Sequence, residues 1–535
     1  MVNRGVAPRR QHYDVIVIGG GPAGSTLATL VAQQGHQVLL LERARFPRYR
    51  VGESLWIATS DILDATGVGE AVKQAGFASK SGGTFLWGPP EQPWSLYFTD
   101  VNGCVSNSYH VDRASFDALL LQRAEQAGVE VLLESAVLNV LWDSGRAVGV
   151  KSSIAQQTRS IDASYVVDAS GLRSRHGADA LPAQSPPRYE SLSVWAYFRD
   201  VNKLPSPDES NVLTAMFHEG WCWMIPLADG LTSIGVVLDV SALQGAGRGT
   251  RLEELFSKSF ASCPFVSQRL KNATRCSEYR SCLYHPRNLS RYHAPGLLMV
   301  GDAACFVDPV LSTGVHLGMS GACYGAFALN TLLDGGHEPL AMEAFERLYR
   351  RDHATYQSDT DELYAMNAGQ SGQFWQRRKP ASFTVQQQQM QQEALDFRMR
   401  IATHHGDMDT ISQLQAKRMR RLSEQRGLGR FSAPAFLRHR LRACDPGRKP
   451  AEGYVMGDAG EGQFRKSLVA ISSSDQFAEV SSGDSTIFEL CDGNRTVAQV
   501  IDGLVAHYNL ADVDPLDLAQ TVGQWVELGW LERVE

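Results

Sequence analysis

Two short stretches of this chain carry side chains that can do chemistry together. One is Lys80-Ser81-Gly82-Gly83-Thr84-Phe85-Leu86-Trp87-Gly88, and the other is Trp221-Cys222-Trp223-Met224-Ile225-Pro226. Two indoles one residue apart, closed by a proline, form a bulky wall that a substrate ring would not easily cross. A reactive species made on one side of such a wall has to travel to be used on the other. Alternating tryptophans also suit one face of an ordinary half-buried strand, and a lysine in a glycine-rich loop is ordinarily solvated. The elements around these residues decide between the readings.

Tyr13-Asp14-Val15-Ile16-Val17-Ile18 has the composition of a short buried strand, and an apolar helical pattern runs through Leu27, Leu30 and Val31. Between them lies Gly19-Gly20-Gly21-Pro22-Ala23-Gly24. Gly19, Gly21 and Gly24 fit G-x-G-x-x-G, in which glycines permit a tight turn and let backbone N–H groups approach a pyrophosphate at a helix N-terminus. A second strand, Val38-Leu39-Leu40-Leu41, ends in Glu42, at the spacing expected of a ribose-binding acid. This much fits FAD and NAD equally. Val166-Val167-Asp168-Ala169-Ser170-Gly171 and Leu297-Leu298-Met299-Val300-Gly301-Asp302 are further apolar strands, each running to an Asp among small residues. Their order and spacing resemble the large class of FAD-dependent monooxygenases and reductases. That resemblance implies that Asp302 contacts the ribityl or pyrophosphate part of FAD. Arg113 stands where the class has an FAD-contacting arginine.

Four features narrow the resemblance to the flavin-dependent halogenases, in particular the branch that acts on phenols and pyrroles. They are GGGPAGS, the segment from Arg45 to Leu55, Lys80 in its glycine-rich setting, and WCWMIP, which fits the family's W-x-W-x-I-P signature; GDAACFVDPVLSTGVHL extends the likeness over about residues 13–365. The resemblance implies an α/β fold with an FAD-binding Rossmann-like domain of the GR2/monooxygenase type, interrupted by a mixed β-sheet near 80–110 and 185–290. It also implies FAD used as FADH2, O2 and chloride or bromide as co-reactants, and a separate flavin reductase, since the chain has no evident second dinucleotide fold. Cofactor contacts are expected from Gly19, Gly21, Ala23, Gly24, Glu42, Arg43, Arg113, Gly301 and Asp302. Hypohalous acid made beside the flavin would pass to Lys80, which delivers the halogen to an aromatic ring. Trp221, Trp223 and Pro226 would keep flavin and substrate apart. Thr313 and Gly314 would hold the halide on backbone N–H groups. Halogenases that act on tryptophan carry a glutamate two residues before that threonine. Leu311 stands there instead, which points to a ring already electron-rich, a phenol or pyrrole. An FAD hydroxylase or a prenyl reductase of the same fold is the nearest enzymatic alternative, and a carrier- or peptide-binding flavoprotein is the non-enzymatic one.

At 535 residues and 43% hydrophobic composition the chain is long enough for two or three domains. A net charge of −7 gives no reason to expect nucleic acid or an anionic membrane as partner. Nine cysteines without a Cys-x-x-Cys pair argue against a disulfide framework or a metal site and fit a cytoplasmic setting. The amino end has no apolar run of signal-peptide length.

Past residue 365 the flavin pattern ends. Residues 366–444 read as a basic helical region, with Ile411, Leu414, Met419 and Leu422 on one face and Arg418, Arg420 and Arg421 mostly off it. That surface could be solvated, or it could dock an acidic acyl or peptidyl carrier bearing the aromatic substrate. Residues 445–466 read as a linker. Residues 467–535 resemble the small winged-helix domains of the PqqD-like kind, with a capping box at Thr496-Val497-Ala498-Gln499, a helical face through Val497, Val500, Ile501, Leu504 and Val505, and a second helix through Leu518, Val522 and Trp525.

Overall fold

The computed structural model describes residues 7–379, except 89–91, 99–107, 173, 177–180, 184–187, 243–251 and 368. Beyond these it describes 440–443, 451–456, 462–471, 477–480, 490–508, 522 and 531–534. The chain divides into two compact units, the first formed by residues 1–334 and 345–406, the second by 335–344 and 407–535.

In the first unit, β1 (His12–Ile18), α1 (Pro22–Gln33) and β2 (Val38–Leu41) make a βαβ unit, followed by β3 (Ala78–Lys80), β4 (Gly82–Leu86), β5 (Trp94–Tyr97) and β6 (Ser108–His110). Next come α2 (Arg113–Gln126), β7 (Glu130–Leu132), β8 (Ala136–Asp143), β9 (Arg146–Ile154) and β10 (Gln157–Asp168). The later strands are β11 (Ser191–Arg199), β12 (Val212–Phe217), β13 (Gly220–Pro226), β14 (Thr232–Asp239), β15 (Thr274–Arg275), β16 (Arg280–Tyr284), β17 (Arg287–Asn288), β18 (His293–Ala294), β19 (Leu297–Met299) and β20 (Cys305–Phe306). Three helices follow, α3 (Gly314–Leu333), α4 (Glu338–Ala365) and α5 (Gln373–Arg378).

Two eight-stranded sheets dominate. The first runs β18-β19-β10-β1-β2-β7, with β8 and β9 attached beside β10, and its central pairs β19/β10, β10/β1, β1/β2 and β2/β7 are parallel. Parallel strands are covered on both faces, which is why β1 and β2 read as unbroken apolar runs and are almost wholly buried. The second sheet runs β15-β11-β14-β13-β12-β4-β5 with β16 beside β11. Within it β12/β4 is parallel and the other pairs are antiparallel, so the expected mixed sheet is present. Lys80 and its neighbours belong to a separate two-stranded ribbon, β3 with β6. The apolar helix α3 is buried over most of its circumference and packs on α1, where Gly318 and Gly301 approach Ala23. Among the described residues no helix is long and apolar enough to cross a membrane.

The expected limits past residue 365 need correction. Phe374, Trp375 and Arg378 of α5 are buried in the first unit, where Trp375 Nε1 donates to Phe217 O at 3.0 Å, so that unit continues beyond 365. The stretch 445–466 contains the strand β22 (Ala451–Met456), which pairs with β23 (Phe464–Ile471), and β24 (Phe477–Val480) completes that sheet. Gly453 lies inside β22, opposite Ser467, so this stretch is not a free linker. Residue 467 lies inside β23, and β21 (Arg440–Ala443), in the stretch expected to be helical, pairs with β25 (Asp492–Thr496) and β26 (Leu531–Val534). In α6 (Val497–Tyr508), Val497, Val500 and Ile501 are buried; Thr496 N donates to Gln499 Oε1 at 2.9 Å and Gln499 N returns a longer bond to Thr496 Oγ1. The capping box is therefore formed. Val522 is helical and buried, while the face of Ile411 to Leu422 and Arg418 to Arg421 lies outside the described residues.

Candidate active site

The glycine turn is built so tightly that it admits no side chain. Gly19 has a φ of +105°, and a Cβ at Gly24 would lie 1.9 Å from Gly19 O. The turn opens α1 with Pro22 in its first turn, so the free N–H groups of that turn face outward with the positive end of the helix dipole. Arg48 reaches the same place, its Nη2 lying 3.4 Å from where a Cβ of Gly21 would stand. At the end of β2, Glu42 is buried and accepts from Gly20 N and Ala44 N, each at 2.8 Å, while Arg43 beside it is exposed. Gly19, Gly21, Ala23, Gly24 and Glu42 therefore meet at the carboxyl edge of the parallel strands.

Arg113 and Arg48 share one carboxylate. Asp117, fully buried on α2, receives Arg113 Nε at 2.8 Å and Arg48 Nη1 at 2.7 Å. Arg113 Nη1 also donates to Val51 O and Gly52 O, so it fixes the turn before Glu53. Asp302 stands on the short turn Gly301–Ala303; burial raises its pKa to about 6, with the charge of Arg113 opposing that rise. The narrow glycine cradle, the arginines and the ribose-type acid fit a dinucleotide, and Arg48 stands beside Gly21 at that cradle.

Lys80 is 2% exposed. Its Nζ donates to Leu55 O at 2.8 Å and lies 5.8 Å from the Trp56 ring centre and 5.3 Å from that of Phe98. Desolvation lowers its pKa to about 7, so a large share of the amine is uncharged at neutral pH. The amine faces an apolar cleft. Phe85 and Trp94, stacked with centres 4.6 Å apart, line it together with Leu96, and Val310, Leu311 and Ser312 form another part of the lining.

Trp221 and Trp223 project from β13 with ring centres 6.0 Å apart, in the apolar cluster that also holds Trp56, Val310 and Leu311. They stand behind the cleft lining instead of forming it. Trp221 Nε1 donates to Tyr364 OH at 3.0 Å, and that hydroxyl donates to the buried Asp308. Trp223 Nε1 donates to Ser233 Oγ, and its ring covers Gly235, where a Cβ would meet it at 2.2 Å. Pro226 ends the strand opposite Thr232.

The residues expected to hold halide lie at a helix start. Asp308 caps the turn Pro309–Leu311, Ser312 takes a left-handed φ of +59°, and α3 begins at Gly314. Thr313 is buried and its Oγ1 has no partner among the described residues, while the space beside Gly314 is open to 4 Å. A twenty-residue helix thus turns its unpaired N–H groups toward a free hydroxyl and an open volume, a setting that suits a small anion.

Several further groups stand here that no motif announces. Arg48 and Glu53 lie within the segment Arg45 to Leu55. Glu53 is buried, accepts from the Tyr197 hydroxyl, and has its pKa raised to about 7 by desolvation. Asp117 carried no motif of its own, and its signal was only the i, i+4 spacing from Arg113.

The tryptophan halogenase family model matches residues 14–107 and 99–409. A curated tryptophan 2-halogenase of Chondromyces crocatus is 31% identical over 369 residues, which is 68% of this chain and 69% of the relative. The solved structure of the myxobacterial chondrochloren halogenase CndH, described as a variant of FAD-dependent halogenases, is 36% identical with a TM-score of 0.67 and covers 76% of this chain and 96% of its own. The flavin-dependent halogenase CmlS is 24% identical with a TM-score of 0.77 over 99% of this chain and 98% of its own, a likeness of fold.

Proposed function

Because this chain belongs to the flavin-dependent halogenases, the family of the tryptophan halogenase model, we propose that Lys80 is the group that carries halogen to an electron-rich aromatic ring in specialised metabolism. The enzyme is an oxidoreductase that uses FAD, O2 and halide. Bound as FADH2, the cofactor supplies with O2 the oxidising equivalents that convert halide to hypohalous acid. The neutral Lys80 amine attacks the halogen; an N–halogen bond forms, the halogen–oxygen bond breaks, and the departing hydroxide leaves as water with the amine's proton. The ring then takes the halogen, the N–halogen electron pair returns to nitrogen, and the proton lost from the ring carbon restores the amine.

The observation that carries this reading is the buried amine of Lys80, depressed to about 7, held by one carbonyl between two aromatic rings at the edge of an apolar cleft. An ordinary lysine would be almost entirely protonated at neutral pH and could not act as the nucleophile. Thr313 and Gly314 are the proposed halide site, and Trp221, Trp223 and Pro226 the proposed barrier between cofactor and substrate. The contacts of Glu42, Arg113, Gly301 and Asp302 with FAD are proposed with the glycine turn.

Leu311 lines the cleft where a carboxylate would otherwise assist, and the lining is mainly aromatic and aliphatic. This favours a phenol or pyrrole whose own hydroxyl or nitrogen stabilises the cationic ring. The proposed partners are a separate flavin reductase and the aromatic substrate, either free or tethered to an acyl or peptidyl carrier protein. Incubation with a flavin reductase, NADH, bromide and a simple phenol tests the reading by mass spectrometry. Wild type should give bromophenol, whereas Lys80→Ala should keep FAD, release hydrogen peroxide and give none. Oxygen insertion without halogen, or undiminished product from Lys80→Ala, would overturn it.

A further inference from the structure

Beside Lys80 stands a second buried nitrogen base, His110. In the β3/β6 ribbon Ala78 pairs with His110 and Lys80 with Ser108. Residues paired across an antiparallel ribbon share a face, as do residues two apart on one strand, so Lys80 and His110 are diagonal neighbours on one face. Burial follows that geometry: Lys80, Ser108 and His110 are buried, whereas Ser79 on the other face is exposed. Both side chains therefore enter the same dry interior. His110 Nε2 lies 2.9 Å from Ser210 O. A carbonyl only accepts, so Nε2 carries the proton and Nδ1 is left as the acceptor. Among the described residues Nδ1, fully buried, has no hydrogen-bond partner.

An unpaired acceptor in a dry interior is costly, and a group that retains one usually has a partner that is transient or mobile. The Lys80 amine has N–H bonds beyond the one given to Leu55 O. Resting on the reading of Lys80 as the halogen carrier, we propose that His110 is a positioning residue for it: Nδ1 accepts a second N–H of the amine, directly or through one water, and so aims the nitrogen lone pair into the cleft. Two acceptors, Leu55 O and His110 Nδ1, would then fix the direction of attack on hypohalous acid and of release to the ring. The imidazole suits this task because burial and the charge of Lys80 depress its pKa to about 3, so it stays neutral and keeps the acceptor available throughout neutral pH.

The two ring nitrogens can be separated by substitution. His110→Gln keeps a donor near the Nε2 position for Ser210 O but removes the Nδ1 acceptor, whereas His110→Asn keeps an acceptor near Nδ1 and gives up the anchor. Each purified holoenzyme is assayed with reductase, NADH, bromide and a phenol, recording halophenol, peroxide, bound FAD, melting temperature and the pH profile. Expected for His110→Gln are near-wild-type melting and FAD content, at least a tenfold loss of halophenol with peroxide in its place, and a profile midpoint moved to lower pH because the ammonium has lost an acceptor. His110→Asn should retain several times more halogenation than His110→Gln, although it melts lower. Should His110→Gln fail to fold, His110→Asn against His110→Ala makes the same comparison, and equal halogenation per bound FAD in those two would overturn the proposal. Wild-type halogenation by His110→Gln would overturn it too. The Lys80→Ala control separates the layers: loss of product there with an unaffected His110→Gln removes only the role of His110, while product retained in Lys80→Ala removes the reading beneath it.

Discussion

Replacing Lys80 by Met should stabilise the protein at neutral pH, because burial denies the amine the charged, hydrated form that it keeps in the unfolded chain. The fall in pKa from 10.5 to about 7, at about 1.4 kcal/mol per tenfold change in proton affinity, corresponds to roughly 4–5 kcal/mol of destabilisation. The sign follows from proton counting. Between pH 7 and pH 10.5 the unfolded chain keeps its lysine proton while the folded chain has lost it, so wild-type stability rises with pH across that window. Below about pH 7 both states are protonated and the full cost is present; above 10.5 both are neutral and the cost is gone. Methionine removes the cost, packs its thioether against Trp56 and Phe98, and leaves Leu55 O without its donor, a loss of about 1–3 kcal/mol. The net gain at pH 7 is then about 2–3 kcal/mol, and it should shrink by about 3 kcal/mol by pH 9.5, reaching or passing zero. Urea unfolding of wild type and Lys80→Met in parallel at pH 7.0, 8.0, 9.0 and 9.5 measures the difference directly. A stability gap that stays constant over that range would mean that the amine is solvated, and the dry delivery site would fall with it.

Asp117→Asn keeps the shape of the carboxylate but leaves Arg48 and Arg113 buried without their shared anion, so it should cost about 3–5 kcal/mol in stability and weaken FAD binding. Thermal melts and flavin titration read both, and wild-type FAD affinity would contradict the arginine cradle. Thr313→Val preserves volume and removes the unpartnered hydroxyl; losing a bond to an anion of about 1.5 kcal/mol should raise the halide KM roughly tenfold with FAD binding unchanged. An unaltered KM for both chloride and bromide would place the halide elsewhere. Gly235→Ala drives a methyl into the Trp223 ring and should cost about 1–3 kcal/mol. The displaced indole should appear as a shift in tryptophan emission, and an unshifted spectrum with wild-type stability would show that the ring is not packed on that glycine.

The cofactor frame was legible because its constraint is local. The turn at Gly19 to Gly24 needs glycine where a Cβ would strike backbone, and the strand β2 has to end in Glu42 at a fixed distance from it. The parallel sheet was legible from unbroken apolar runs for the same reason. What stayed hidden depended on distant partners. Nothing near Lys80 in sequence announces that Leu55 supplies its carbonyl or that His110 shares its face, since both facts arise from the pairing of β3 with β6 and of 54 with 110. Asp117 is an unremarkable helical acid until Arg48 arrives from 69 positions away. The limits past residue 365 were misplaced because glycine and polarity read as a linker, whereas 451–456 and 464–471 pair as antiparallel strands, a contact between segments that composition does not announce.

The strand β13 is dry on both sides. Trp221, Trp223 and Ile225 face one apolar cluster, while Cys222 and Met224 face another with Phe256 and Val266. A shift of one residue would exchange those two sets wholesale, placing a thiol where an indole belongs. Gradual evolutionary adjustment has little freedom along this strand. Diversification toward larger or differently shaped acceptors should therefore accumulate on the edge pair β4/β5, at Phe85 and Trp94, while the tryptophans of β13 are inherited intact.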